Sequence, residues 1–248
     1  MKHLPLLLLL ILLLASCSGG GTQAPAVAIP LDVALTPALQ PLADALRTCA
    51  AQQPAVVLVV HERSTAALFD SPADLYFILG EPDPLPEFSA QIAWEQVVLV
   101  AHPSADTASW ALSLIRTMFT SIPSADSPLS ANVWVPLDGD ETMQAFQTAV
   151  LGSSRLSPEA RLAPNPAAVL SAVSSDPAAL GILPAAWLDA SVQSIDLGIR
   201  LPVLLTALQT PSGPALELAA CLQSAAGQTV LAERYQPWDA APLETPAP

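Results

Sequence analysis

The chain has 248 residues, a formal charge of −14 and an apolar content of 52%. A chain of this length has room for one or two compact domains, and its apolar content excludes intrinsic disorder for the bulk of it. Lys2 is the only lysine, and 22 carboxylates outnumber the arginines. Because such a negative field repels phosphate backbones, the composition excludes a nucleic-acid partner.

A secretory leader opens the chain. The apolar run from Leu6 to Leu14 is too short to span a bilayer and ends in Leu14-Ala15-Ser16-Cys17. This ending resembles the lipobox of bacterial lipoprotein signals. The resemblance implies a signal peptide over 1–16, a lipid on Cys17, and a cell-envelope location on the extracytoplasmic side of a membrane. The glycine run that follows predicts a flexible tether over 17–26.

Short apolar runs alternate with amphipathic stretches from residue 27 onward, which predicts an α/β fold with a largely parallel sheet. The run from Ala55 to Val60 has no polar alternation and predicts a central strand covered on both faces. The predicted strands cover 27–35, 55–60, 74–79, 96–101, 132–136, 180–183 and 192–208.

Apolar periodicity predicts the helices between these strands. The first follows Thr36, which can cap it, and has Pro37 at its first position. The last runs from residue 214 to about 235, with an interruption near Gly227. Residues 237–248 form a Pro-rich acidic tail in which Trp238 is the one anchor. The remaining helices are predicted at 106–120, from about 140 to 150, and at 166–173.

Besides the predicted lipidation residue Cys17, the chain has two cysteines, Cys49 and Cys221. Disulfides persist outside the cytoplasm, so a bridge between them is compatible with the predicted location. Two buried free thiols are equally compatible with the residues.

Five segments follow one another in consistent order and spacing between Val33 and Tyr235. The second ends in His102-Pro103, and the fifth contains Gly227-Gln228. Together they resemble the phosphate-type branch of the type 2 periplasmic solute-binding proteins, the receptors of ABC importers. The segments are Leu35–Ala43, Ile92–Pro103, Leu112–Phe119, Pro166–Leu188 and Ala226–Tyr235.

The resemblance implies an α/β, two-lobe periplasmic-binding-protein-like (type 2) fold with mixed, mainly parallel sheets. Residues 27–101 and 197–236 would form lobe 1, and 102–196 would form lobe 2. The ligand would bind in the cleft, where strand ends and helix N-termini of both lobes converge. The first and last helices would share lobe 1, which favours a Cys49–Cys221 bridge.

Receptors of this type hold oxyanions with backbone amides, Ser or Thr hydroxyls and an Arg. Two places in the first lobe could do this: Thr36 before the first helix, and Arg63-Ser64-Thr65 after the apolar strand. The same residues also fit a plain helix cap and a polar turn, and both interpretations stay open.

The matching segment of the second lobe, Pro136–Thr142, departs from the family. Phosphate binders typically have an Arg and then Ser-Gly-Thr here, whereas this chain has Asp138, Asp140 and Glu141. Three carboxylates would repel a phosphate. The candidate ligand residues in this lobe are therefore Asp138, Gly139 and Thr142, and a neutral or cationic solute, or no small ligand, fits them better.

Other polar residues give weaker indications. Glu81 and Asp83 follow a strand end and could face the cleft, but the prolines around them explain a turn equally well. His61 and His102 are far apart in sequence, so we expect no metal site. We expect no cofactor either.

Two functions remain after enzymes are considered. The chain lacks a nucleophile elbow, a zinc-protease motif and nucleotide-binding glycine loops, so we expect no enzyme activity. A hydrolase would need an unrecognised Ser or Asp constellation in the cleft. We predict a lipid-tethered receptor that passes a small solute to an ABC permease. The alternative is a degenerate scaffold that acts in envelope interaction or sensing without a transported ligand.

Overall fold

The computed structural model describes residues 28–121 and 131–239. The predicted signal peptide, tether and lipidation residue Cys17 lie outside these residues, as does the tail beyond Asp239. The strands are β1 (Ile29–Leu35), β2 (Val56–Glu62), β3 (Leu75–Leu79), β4 (Phe88–Ala101), β5 (Asn132–Pro136), β6 (Arg161–Ala163), β7 (Ala179–Pro184), β8 (Gln193–Ala207) and β9 (Gln236–Pro237).

Six α-helices are present in the described part of the chain. None of them is long and apolar enough to cross a membrane. Three 3-10 turns, Pro37–Leu42, Thr65–Ala67 and Ala185–Trp187, accompany them. The α-helices are α1 (Ala43–Ala50), α2 (Leu112–Thr120), α3 (Glu141–Phe146, continued by a π-helical turn at Gln147–Leu151), α4 (Pro166–Ser175), α5 (Gly213–Gln223) and α6 (Ala225–Leu231).

Within residues 28–121 and 131–239, all strands join one mixed sheet in the order β2-β1-β3-β8-β4-β7-β5-β6, with β9 paired to β4. One parallel group contains β1, β2 and β3, and the other contains β5, β6 and β7. The long strands β4 and β8 pair antiparallel between these groups. They therefore connect the two halves of the molecule.

Separate hydrophobic cores lie on either side of this connection. In β4, Ile92 and Ala93 pack in the first core, whereas Val97 and Leu99 pack in the second. In β8, Val203 belongs to the first core. The lobe limits proposed above, 27–101 with 197–236 and 102–196, stay a prediction.

The strand predicted at the centre of the sheet lies at its edge. β2 pairs with β1 alone in the sheet order, and Val57 is 52% exposed. Val56, Leu58 and Val60 are partly buried against the first core. The prediction was wrong because an unbroken apolar run reports side-chain polarity but not how many strands flank it.

The first helix differs from its predicted form. Thr36 occupies the N-cap position but makes no side-chain capping bond, and Pro37–Leu42 is a 3-10 turn. Pro41 lies inside this turn and lacks the N–H that an α-helix would need there. The α-helix therefore begins only at Ala43.

The second helix starts at Leu112, so the prediction was wrong for 106–111. Asp106 Oδ1 accepts a hydrogen bond of 3.4 Å from the Ala108 amide, and the Trp110 amide donates to the Thr107 carbonyl at 3.1 Å. Local side-chain bonds of this kind compete with a helical turn.

Three strand features were not predicted. β4 begins at Phe88, well before the predicted residue 96, and the short strands β6 and β9 were missed. β9 places the start of the predicted tail against β4, where the Trp94 indole donates to the Trp238 carbonyl at 3.1 Å. Strands of two or three residues carry too little periodicity to be recognised.

The C-terminal helices are held against α1. Cys49 of α1 and Cys221 of α5 form a disulfide. The predicted interruption near Gly227 lies at Ser224, which caps α6 by accepting a bond from the Gly227 amide. A Cβ on Gly227 would lie 2.0 Å from the Cys221 carbonyl oxygen, so only glycine allows this tight corner.

Candidate functional site

A hydrogen bond joins the two halves of the molecule beside the crossing strands. Thr65 lies in the 3-10 turn after β2, and Glu141 is the first residue of α3, after β5. Thr65 Oγ1 donates to Glu141 Oε2 at 2.7 Å. The fully buried Thr36 follows β1 and lies beside the same carboxyl. The ends of β1, β2 and β5 therefore converge on one carboxyl group.

The carboxyl groups of this site are hard to ionise. The pKa of Glu141 is raised to about 7, mainly by burial and further by the charge of Asp140. The hydrogen bond from the Thr65 hydroxyl acts in the opposite direction and lowers this pKa. Near neutral pH the buried Glu141 carboxyl therefore exists in both its charged and neutral forms.

Asp140 caps α3 with its carboxylate. Its Oδ1 accepts hydrogen bonds from the amides of Thr142 at 2.8 Å and Met143 at 3.3 Å. Burial nevertheless raises the pKa of Asp140. The first turn of α3 is thus already satisfied by a side chain of the protein.

Three polar atoms around this carboxyl have unused hydrogen-bonding capacity. Thr36 Oγ1, Thr142 Oγ1 and Glu141 Oε1 are buried and make no hydrogen bond within the described residues. A buried polar group without a partner costs about 1–3 kcal/mol. Such groups are uncommon in folded proteins, so their grouping around one carboxyl marks this position as a candidate functional site.

A cavity of about 580 Å³ opens beside the Thr65–Glu141 contact. Its polar lining includes Glu81, Glu141 and Arg200. The Arg200 guanidinium also stacks over the Trp94 ring, 4.7 Å from its centroid. The apolar lining comes from both halves and from β8: Phe69, Ile78, Leu79, Ala145, Ile199 and Leu201.

The predicted ligand residues separate into two groups. Thr36, Thr65 and Thr142 lie around the Glu141 and Asp140 carboxyls. Ser64 is exposed, and so are Asp138 and Gly139 on the turn before α3.

Arg63, a predicted ligand residue, binds backbone carbonyls of its own loop. Its guanidinium donates to the carbonyls of Leu68 at 3.1 Å, Ser71 at 2.6 Å and Pro72 at 3.4 Å. Three carbonyl partners hold the loop before β3, and they use much of the donor capacity that an anion would need.

Two features of the site were not predicted as ligand contacts. The Glu141 carboxyl was considered only as a source of repulsion, and Arg200 was not considered. Arg200 lies within the predicted strand 192–208, and no motif in the neighbouring sequence indicates that its side chain lines a cavity. Its place depends on the crossing of β8 between the two halves.

A second buried carboxyl lies where the cores meet. Glu95 of β4 is 1% exposed, and its Oε1 accepts from the amides of Gln96 at 2.8 Å and Ala186 at 3.3 Å. Burial raises the pKa of Glu95 to about 8. It also raises the pKa of Tyr235, with a smaller contribution from the charge of Glu95.

Each of the two histidines considered above makes a short contact with a nearby polar side chain. His61 Nε2 of β2 lies 2.9 Å from Asp32 Oδ1 of β1, and His102 Nδ1 lies 2.8 Å from Ser104 Oγ. Among residues 28–121 and 131–239, no group of three or more His, Cys, Asp or Glu residues could hold a metal ion.

Solved structures share this architecture. A putative phosphate ABC transporter substrate-binding protein with bound phosphate from Clostridium perfringens is similar with a TM-score of 0.74 and 15% identity, over 84% of this chain and 99% of that one. An ABC-type phosphate transport receptor from Vibrio cholerae gives 0.62 and 14%, over 84% and 100%. A reduced form of OxyR from N. meningitidis gives 0.58 and 15%, over 78% and 94%.

These similarities define the fold. The chain has the two-lobe, type 2 periplasmic-binding-protein-like fold, as predicted. Phosphate receptors and OxyR regulatory domains share it, and these neighbours are binding and regulatory proteins rather than enzymes. The sequence matches no protein-family model and no curated protein.

Proposed function

We propose that this protein is a solute-binding lipoprotein that delivers a small neutral or cationic solute to an ABC permease. The fold of its structural neighbours supports a solute-binding role. The lipobox at Leu14-Ala15-Ser16-Cys17 supports a lipid anchor on the extracytoplasmic side of a bacterial membrane.

One observation carries the choice of solute class. The cleft that would receive an oxyanion contains the buried carboxyl of Glu141 and the half-buried carboxyl of Asp140, and Glu81 lines the adjacent cavity. A phosphate would meet like charges in a site of low polarity, where repulsion is strong. A solute with an apolar body and hydrogen-bond donors suits this lining better.

The cavity can be tested by thermal shift against a panel of oxyanions, amino acids, sugars and small amines. A true ligand at a hundred times its dissociation constant stabilises the folded state by about 2.7 kcal/mol. We expect a shift from a neutral or cationic member of the panel. No shift from any member would reject the transport role.

A cavity-filling variant connects such a shift to the cavity. Ala149 lines the cavity from the middle of the π-helical turn, and Ala149→Phe places a ring in its volume. The matched control is Ala220→Phe, at an exposed position of α5. We expect the first variant to lose the ligand-induced shift and the second to keep it.

The lipid anchor requires its own test. Cys17→Ser removes the thiol that the lipid would modify, so we expect the protein to move from the membrane fraction to the soluble extracytoplasmic fraction. Retention of the variant in the membrane fraction would contradict the anchor.

A scaffold without a transported solute is the second candidate. It is favoured by the Thr65–Glu141 contact, in which a side chain of the protein takes up the position of an oxyanion. Under this alternative the purified protein binds no panel solute, and it co-purifies with a membrane partner. A bound small molecule in the purified protein would argue against it.

A further inference from the structure

The two outer strands of the sheet, β6 and β2, differ in length and in polarity. β6 has three residues and begins with Arg161. β2 has seven residues, and Val56–Val60 within it is an unbroken apolar run without proline or charge. Proteins usually protect a sheet edge by keeping it short or by placing charges on it. β6 follows this rule, whereas β2 is the edge suited to pairing with a further strand.

The backbone of β2 uses every second residue to bind β1. The Arg63 amide, just after β2, donates to the Leu35 carbonyl at 2.9 Å. Because the residues of a parallel strand bind its two sides alternately, the odd-numbered residues of 55–63 face β1. The even-numbered residues direct their N–H and C=O groups to the outer side, where no strand of residues 28–121 and 131–239 lies. These residues are Leu58, Val60 and Glu62.

We propose that β2 pairs with β2 of a second copy of this chain, antiparallel and about a twofold axis through Val59. Outward groups must meet outward groups, so only registers that bring even-numbered residues together are possible. Among these, the register that sets Leu58 opposite Val60 pairs the whole of 56–62. It is also symmetric, as the interface of a closed dimer must be.

The charges beside this edge suit a second copy of the same chain. In the proposed register, Glu62 of the partner subunit lies opposite Val56. The side chain of Val56 lines a shallow depression on the α1 face together with Leu58 and Arg47. The partner's Glu62 therefore comes beside Arg47, whose side chain is 64% exposed. Opposite charges across paired strands are stabilising, and the twofold axis makes this contact occur twice.

Both copies can remain attached to one membrane in this arrangement. Ile29, at the start of β1, lies beside Val56 of the same copy. Strand spacings place the two copies of Ile29 about 25 Å apart. The chain between Cys17, the proposed lipidation residue, and Ile29 extends to about 40 Å. The two tethers therefore reach a common surface.

Cysteine cross-linking of the full-length protein in whole cells tests the register. Val59 meets its own copy in a non-hydrogen-bonded pair, where the Cα atoms are about 4.5 Å apart, within the range of a disulfide. Val59→Cys should therefore give a disulfide-linked dimer under mild oxidation. Val57→Cys is the matched control, because its two copies lie about 14 Å apart along the strands. It should stay monomeric.

Each other outcome of the cross-linking would overturn the proposal. Equal dimer formation by Val59→Cys and Val57→Cys would indicate random collision. Monomers from both variants would be expected if another segment of the chain covers β2, and a mixed disulfide would show that a different protein does. Whole cells contain the protein with or without its lipid anchor, so failure of the anchor or of solute binding does not affect this readout.

Sedimentation of the purified wild-type protein in detergent gives a second measurement that needs no cysteine variant to fold. We expect a dimer at high micromolar concentration. Arg47→Glu and Glu62→Arg should each raise its dissociation constant about tenfold, since each change breaks two symmetric contacts, and the double variant should recover. Glu217→Arg, at an exposed position of α5, is the control and should change nothing. A monomeric wild type, or a double variant that does not recover, would overturn the proposal.

Discussion

Thr65 Oγ1 donates a 2.7 Å hydrogen bond to Glu141 Oε2 across the cleft between the two halves of the molecule. The residues are separated by 76 positions in sequence and follow different strands, β2 and β5. The contact therefore links the halves at the position where the fold would place a ligand. Its loss should affect both stability and the state of the cleft.

Replacing Thr65 by valine removes this donor and keeps the shape of the side chain. We expect a loss of about 1–3 kcal/mol in the free energy of unfolding near neutral pH, because a buried carboxyl loses its hydrogen bond. Urea denaturation measures the change. Thr117→Val, at an exposed position of α2 whose hydroxyl bonds only within its helix, is the control and should cost much less. Equal losses would show that the Thr65–Glu141 bond contributes nothing.

Stability should fall as the pH rises through the neutral range. Burial raises the pKa of Glu141 to about 7 and that of Glu95 to about 8, from an ordinary value near 4.5. Below the ordinary value both groups are protonated in the folded and unfolded states, and the stability they provide is fully present. As the pH rises, the unfolded chain releases these protons first, so stability declines until the folded pKa values are passed.

Urea denaturation at about pH 5 and about pH 9 measures this decline, which we expect to reach several kcal/mol because one pKa unit is worth about 1.4 kcal/mol. Glu141→Gln should remove the part that ends near pH 7, and Glu95→Gln the part that ends near pH 8. Glu217→Gln should change nothing, since Glu217 is exposed. Stability that stays constant or increases over this range would contradict the burial of both carboxyls.

The disulfide should contribute substantially to stability. Cys49 and Cys221 are 172 residues apart, so their bond closes a long loop of the unfolded chain. Replacing both by alanine should lower the free energy of unfolding by about 2–5 kcal/mol. A reducing agent should lower the stability of the wild type and leave the double variant unchanged. Equal stability of the oxidised wild type and the double variant would contradict this prediction.

Gly227 should not tolerate a side chain. Its Cβ would lie 2.0 Å from the Cys221 carbonyl oxygen, and a backbone atom cannot move aside as a flexible side chain can. We expect Gly227→Ala to lose about 3 kcal/mol of stability, in the range of overpacked cores. Ala226→Ser, at the exposed neighbouring position, should stay within about 0.5 kcal/mol of the wild type. A stable Gly227→Ala would contradict the close approach of α5 and α6.

The sequence allowed the fold to be predicted because several weak signals agreed in order. Gly227 illustrates this, since the segment that contains it was matched to the family and its backbone does approach another helix closely. The position of β2 could not be predicted in the same way. Its apolar run looks central, and only long-range pairing places it at the edge.

The site was predicted in part for a similar reason. Thr36 and Thr65 were recognised because each follows a strand, and strand ends converge at the cleft of such folds. The position of Glu141 between them depends on how the two halves meet, which no local pattern encodes. In the sequence, Asp140 and Glu141 together indicate a solvent-exposed helix start, whereas the structure buries the Glu141 side chain.

The most direct measurement is calorimetric titration of the wild-type protein with inorganic phosphate, above the pKa of Glu141. The cleft already contains the Glu141 carboxyl and the carboxylate of Asp140, so we predict no phosphate binding even at millimolar concentration. Saturable, tight binding of phosphate to the wild-type protein would contradict the account, because the anion could enter only by displacing Glu141 from Thr65.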